Sequence, residues 1–110
     1  MIVNATLTGW RKRTGSSEAG VATFAEQSLA RPVQALRAGL TTAQEQLLAA
    51  NELTADESVI HKTGRTGAPD IGAGDRVQLD GAAVWHEVVR VGQTIKGPLS
   101  ARLLFVRRLT

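Results

Sequence analysis

Residues 74–92 read GDRVQLDGAAVWHEVVRVG, two runs in which apolar and polar residues alternate on either side of a Gly-Ala-Ala link. Val77 and Leu79 share one face of the first run, and Val84 to Val91 forms its partner. A period of two sends successive side chains to opposite faces of a strand, so the stretch predicts a half-buried β-hairpin. Asp75 stands beside Gly74 and Asp80 beside Gly81, where turn chemistry favours Asp. These carboxylates are read as strand-end residues rather than, with Glu87, as a catalytic acid pair.

Outward from the hairpin the same period recurs. Val3, Ala5 and Leu7 alternate with Asn4, Thr6 and Thr8 in a first strand, which Gly9-Trp10 and Arg11-Lys12-Arg13 are expected to end before a turn-rich loop over 14–20. Residues 21–38 read two ways: Val21, Phe24, Ala25, Ser28 and Leu29 fit helical spacing, whereas Leu29, Arg31, Val33 and Ala35 alternate. Pro32 lacks an amide hydrogen and pushes Arg31 towards extended backbone, which favours an extended segment over about 28–37. Ser58–Lys62 and Arg102–Leu109 are further strands, and Gln93–Ser100, with Gly97-Pro98, connects the last two.

One helix interrupts the strands. Thr41-Thr42-Ala43-Gln44-Glu45 offers a capping box in two registers, Thr41 with Gln44 or Thr42 with Glu45. Good helix formers follow, Ala43, Leu47 and Ala50 line one face, and Asn51 is a plausible stop. The pattern predicts a helix over about 41–51 within an insert of about 39–58. The fold class is therefore mainly β: a small closed or partly open barrel of about five to six antiparallel strands with one short helix inserted, in a single domain of 110 residues.

Composition narrows the chemistry. There is no cysteine, hence no thiolate nucleophile and no Cys-based metal site. No apolar run approaches the roughly 20 residues of a membrane span. The start, apolar and then basic, reverses a secretory signal, so cytoplasmic synthesis is expected. Net charge is +3, but residues 41–60 hold Glu45, Glu52, Asp56 and Glu57 without Lys or Arg, an acidic insert between basic flanks. His61 and His86 are the only histidines, too few for a dedicated metal site. Gly64-Arg65-Thr66-Gly67 is only loosely a phosphate loop, because no Gly-Lys-Ser/Thr leads into a helix. No enzymatic activity, metal or cofactor is expected.

Three sets remain for contacts. Arg11, Lys12, Arg13, Arg107 and Arg108 would form one basic patch if the first and last strands were neighbours. Leu103 to Val106 presents apolar side chains to both faces, so that strand either lies in a closed barrel or is covered by another subunit. Leu104 and Val106, together with Trp10 and Trp85, are thus candidates for a subunit interface or for the core.

The order of these pieces resembles the phage head–tail joining family, also called head-completion or stopper proteins. The matching run covers about residues 20–110: Leu29-Ala30-Arg31-Pro32-Val33-Gln34-Ala35, the polar start and helix from Thr41 to Ala50, Val59-Ile60-His61, an Ile-Gly-x-Gly-Asp-Arg-Val entry at Ile71–Val77, the hairpin through Val91, Gly97-Pro98-Leu99 and the final strand. The family usually carries an aromatic such as Tyr in the second hairpin strand, where this chain has Trp85-His86. The resemblance implies a virion protein, made in the bacterial cytoplasm. Its copies would form a ring beneath the portal and adaptor proteins, close the filled head and receive the tail terminator or tail tube. Packaged double-stranded DNA would pass without sequence recognition. The insert, with Gln44, Glu45, Glu52, Asp56 and Glu57, would face the channel or a neighbouring ring, where its negative charge would repel the DNA backbone. Two alternatives stand beside this: a small-barrel nucleic-acid-binding module using the basic patch, and a neighbouring connector part such as a tail terminator.

Overall fold

Seven antiparallel strands and one helix follow one another in a computed structural model that describes residues 4–29, 32–63, 69–95 and 100–109. They are β1 (Ala5–Ser16), β2 (Ala22–Gln27), β3 (Val33–Ala38), α1 (Thr42–Ala50), β4 (Glu57–Lys62), β5 (Arg76–Leu79), β6 (Trp85–Ile95) and β7 (Ala101–Arg108). The sheet order β2-β1-β3-β4-β7-β6-β5 closes through a β1–β5 pairing, so six strands form a barrel and β2 lies outside the ring. Closure abolishes the free edges of an open sheet, and this is why a chain with few aromatics can bury a core of Val, Leu and Ala.

The opening stretch is the β5–β6 hairpin, in register from Gln78↔Trp85 to Arg76↔Glu87. Asp80 and Gly81 both take positive φ, 55° and 68°, and the Ala82 amide donates to the Leu79 carbonyl at 3.0 Å. That is the Asp-Gly turn whose twist suits a right-handed hairpin. β7 runs between β4 and β6, which explains its two apolar faces. Leu104 and Val106 point inward with no exposed surface, whereas Phe105 faces out, lies outside the interior cluster and is still only 1% exposed. The covering of that outer face comes from within the chain.

Two strands depart from the sequence expectation. β1 does not stop at Gly9 but continues through Arg11-Lys12-Arg13 to Ser16. Gly9 marks a register shift where a Cβ would stand 2.8 Å from Gln78 Oε1 and 2.9 Å from the Trp85 ring, so it permits close packing inside a strand rather than ending one. Residues 22–27, left between helix and strand by their spacing, form β2, the hairpin partner of the second half of β1. The extended segment accordingly begins at Val33 rather than near 28. β2 and β3 both run antiparallel to β1, pairing with its later and earlier halves, so together they read as one edge interrupted around Pro32. Arg31, the Gly64–Gly67 loop and Gly97-Pro98-Leu99 lie outside the described residues.

α1 matches its prediction and selects the first of the two capping registers. The Thr41 hydroxyl accepts from the Gln44 amide at 3.2 Å, and the Gln44 side chain accepts from the Thr41 amide at 2.9 Å. The helix ends in a Schellman pattern: the Glu52 amide donates to Ala49 and the Leu53 amide to Leu48. Glu52 holds the left-handed position, φ 57°, that usually belongs to glycine.

Candidate functional site

Period-two alternation sorts the polar groups into an inner set, which closes the barrel ends, and an outer set, which faces solvent. At one end Arg37 of β3, Glu57 of β4 and His86 of β6 meet. The Arg37 guanidinium grips Glu57 with Nη2 at 2.7 Å and Nε at 3.2 Å, and its Nη1 reaches Asp80 at 3.3 Å. The Glu57 hydrogen bond is the main cause that raises the Arg37 pKa above its usual value. His86 Nε2 lies 3.2 Å from the same Glu57 oxygen, yet burial lowers the His86 pKa below the ordinary imidazole value.

At the other end Asp75 is the organiser. It is 3% exposed; its Oδ2 accepts from Trp10 Nε1 and the Gly72 amide, both at 3.0 Å, and its Oδ1 accepts from the Arg13 amide at 3.0 Å. Lys12 Nζ stands 3.8 Å away. A carboxylate whose lone pairs are filled by backbone and indole N–H groups is a structural clamp. This places Asp75 and Asp80 in turn and strand-closure roles, as their flanking glycines suggested. His61 is fully buried on β4 beside Arg102, and burial lowers its pKa. Arg102 in turn holds Asp70 at 2.9 Å and keeps that exposed carboxyl below the usual range.

The outer surface carries the groups able to meet a partner. Arg11, Arg76, Glu87 and Arg107 stand in one register row across β1, β5, β6 and β7. The first and last strands are thus not neighbours, and the basic patch expected from the sequence is split: β5 and β6 intervene, and Arg107 is paired with Glu87. Arg108 donates its amide to Asp56 at 2.7 Å. In place of that patch a second one forms at the root of the β1–β2 hairpin. There Arg11 stacks on Trp85 at 4.0 Å, Arg76 stacks on Phe24 at 4.2 Å, and Arg13 is exposed beside them. Neither Arg76 nor Phe24 was a candidate; only the pairing of β1 with both β2 and β5 brings them together. An outer groove of about 350 Å³ runs from Arg13 past Gly74 and Glu87 to Arg107, and the loop after α1 closes it with Glu52, Leu53 and Thr54.

The other candidates divide by burial. Trp10, Leu104 and Val106 belong to the interior cluster, so their side chains are not offered to another subunit; the apolar content that suggested an interface is the barrel core. Trp85 alone of that set stays on the outer surface, partly covered by Arg11. In the insert, Glu57 is committed to Arg37 and His86 inside the barrel end, and Gln44 is occupied by the capping box. Asp56 is exposed and caps the end of β7, while Glu45 and Glu52 are exposed, Glu52 at the rim of the outer groove.

These features define a class: a closed six-stranded antiparallel barrel that carries a hairpin arm and a helical insert. Compared with protein-family models, curated proteins and solved structures, the chain has no match. No helix among the described residues is long and apolar enough to cross a membrane.

Proposed function

We propose that the chain is a structural subunit of a tailed-phage virion, a head-completion or stopper protein whose copies form a ring below the portal and adaptor, close the DNA-filled head and offer the tail its attachment surface. The observation that carries this reading is the helical insert. It leaves the barrel after β3, returns at β4, buries Leu48 alone among its helical residues, and exposes Glu45 and Glu52 with no Lys or Arg between 38 and 61. An acidic projection of this kind suits a lumen through which DNA must slide, since it repels phosphate, and closure would rest on bulk rather than adhesion. The family resemblance supports the same assignment.

A second reading rests on the hairpin root. Arg11, Arg13 and Arg76 share one outer face, so a small-barrel nucleic-acid-binding module is the competing class. Two measurements on the isolated chain separate them. The connector reading expects weak duplex and single-strand binding in a gel shift and capture of the chain by portal–adaptor complexes. The nucleic-acid reading expects tight binding that collapses with salt, as counterion release requires, and no capture.

A further inference from the structure

Asp80-Gly81 is the only Asp-Gly or Asn-Gly pair in the chain. In that dipeptide a main-chain nitrogen with no side chain beside it can reach the aspartate carboxyl carbon, and isoaspartate forms there more readily than at other aspartates. The chemistry is a rearrangement that needs only water. The Gly81 nitrogen adds to Asp80 Cγ, its proton and the carboxyl hydroxyl leave as water, and a five-membered succinimide closes. Water then opens the ring at the former main-chain carbonyl, after which the backbone runs through the side chain. Burial does not prevent this: the Asp80 side chain is 44% exposed, and Gly81 is exposed beside it.

The reacting groups are nevertheless all engaged, and by distant parts of the chain. Asp80 Oδ1 accepts from the Thr6 amide at 2.8 Å, and Oδ2 accepts from Arg37 Nη1 at 3.3 Å. The Gly81 N–H, the nucleophile, donates to the Thr8 hydroxyl at 2.9 Å. That hydroxyl is fixed in turn by donating to the Gln78 carbonyl at 3.3 Å. The Asp80 amide donates to the Thr6 carbonyl at 2.8 Å. Thr6 and Thr8 lie on β1, 74 and 73 positions from their partners, so these bonds exist only once β1 and β5 have closed the barrel. We infer that Asp80-Gly81 is a latent isoaspartate site, held shut by Thr6, Thr8 and Arg37 and released when the β1–β5 closure opens. Attack requires the carboxyl to turn from Thr6 and Arg37 towards its own main chain, and the Gly81 nitrogen to leave Thr8, so the restraints act together. Release is one-way in its effect. The product carries an extra main-chain carbon inside a two-residue turn whose left-handed dihedrals, φ 55° and 68°, match the β5–β6 register. A chain modified while open therefore does not regain the same turn. The inference stands apart from the connector reading and requires no partner.

The test ages the purified chain at neutral pH, folded and in guanidinium chloride, beside a free peptide spanning 77–84. Isoaspartate is read by enzymatic methylation of isoaspartyl carboxyls and by chromatography of the digest peptide holding residues 80 and 81, with electron-transfer fragmentation to assign the linkage. Each neutral hydrogen bond disfavours the open geometry by about three- to tenfold, so the folded chain should react at least thirtyfold or so more slowly than the peptide, and the unfolded chain at the peptide's rate. Thr8→Val keeps the branched shape and removes the hydroxyl; it should speed the folded rate by about three- to tenfold, whereas Thr8→Ser should leave it unchanged. Circular dichroism and melting check that both variants fold. The isolated product should melt below the parent. A folded parent within about threefold of the peptide's rate overturns the inference, since less than one hydrogen bond's restraint would then remain. So does a folded Thr8→Val that ages like the parent, or a product that melts with it. If Thr8→Val does not fold, the comparison of parent with peptide decides alone.

Discussion

Replacing Asp75 tests most of the barrel's wiring at once. Its carboxylate accepts from Trp10 Nε1, the Gly72 amide and the Arg13 amide, all at 3.0 Å, and it is 3% exposed. Asp75→Ala removes the acceptor from all three donors. An orphaned buried donor costs about 1–3 kcal/mol, and the Arg13 amide, nearest solvent, can recover water, so the expected loss is about 3–5 kcal/mol. Asp75→Asn keeps the shape. Its oxygen can serve Trp10 and Gly72, but its NH₂ then faces the Arg13 N–H, donor against donor, and about 2 kcal/mol is lost together with the charge assistance. For a domain of this size that corresponds to a fall in Tm of about 10 °C. Urea unfolding followed by circular dichroism reads both variants. The decisive arm is a double-mutant cycle with Trp10→Phe, which deletes the indole donor: its packing loss is common to both backgrounds, so it should cost about 1–2 kcal/mol more in the parent than in Asp75→Ala, where that donor is already orphaned. Additive costs, or an Asp75→Ala variant within about 1 kcal/mol of the parent, would refute the clamp.

Three further outcomes follow from single positions. Glu52→Gly should stabilise the chain by about 1 kcal/mol in urea unfolding, since glycine carries no Cβ penalty at the left-handed helix terminus; an unchanged or lowered stability would show that Glu52 is held there by contacts worth more than the strain. Gly92→Ala should cost about 1–3 kcal/mol, because the new Cβ would meet Leu103 at 2.9 Å and Phe105 at 3.1 Å, and Phe105 is too buried to move aside; a neutral variant would mean that this outer layer is loosely packed. Acid should destabilise the fold. Burial lowers the pKa of both His61 and His86, so the unfolded chain binds protons more readily from about pH 6.5 downward, and stability present above that pH should fall by up to about 1.4 kcal/mol per pH unit for each histidine until the folded pKa is passed. Urea midpoints between about pH 7.5 and 5 test this, and His61→Leu should lessen the slope; a flat profile would mean the imidazoles are protonated as easily in the barrel as in water.

What could be read in advance follows the range of the interactions. The β5–β6 hairpin, the capped helix and the two-faced β7 are set by residues a few positions apart, and each is where its pattern puts it. β1 was cut short because glycine and a run of cations resemble a stop. Their real partners, Gln78 and Trp85 against Gly9 and Asp75 against the Arg13 amide, are more than sixty positions away, across the barrel closure. β2 was hidden for the same reason, since only pairing with that extended β1 distinguishes a strand from the weak helical spacing of residues 21–29. At the candidate site the acidity of the insert was legible but its division was not. Glu57 turns inward to Arg37 and His86, while Glu45 and Glu52 stay exposed, and nothing near them in sequence sets them apart. The stripe Ala43–Leu47–Ala50 is legible as one face of the helix, but its exposure is not, because the residue that anchors α1 is Leu48. The helix turns that apolar face outward.

The most direct test of the connector assignment is electron cryo-microscopy of portal–adaptor complexes incubated with this chain. The expected result is an added ring, coaxial with the portal, in which α1 and its Glu45 and Glu52 line or cap the channel. Complexes left without added density, or a ring whose inserts point outward while the barrels line the lumen, would contradict it.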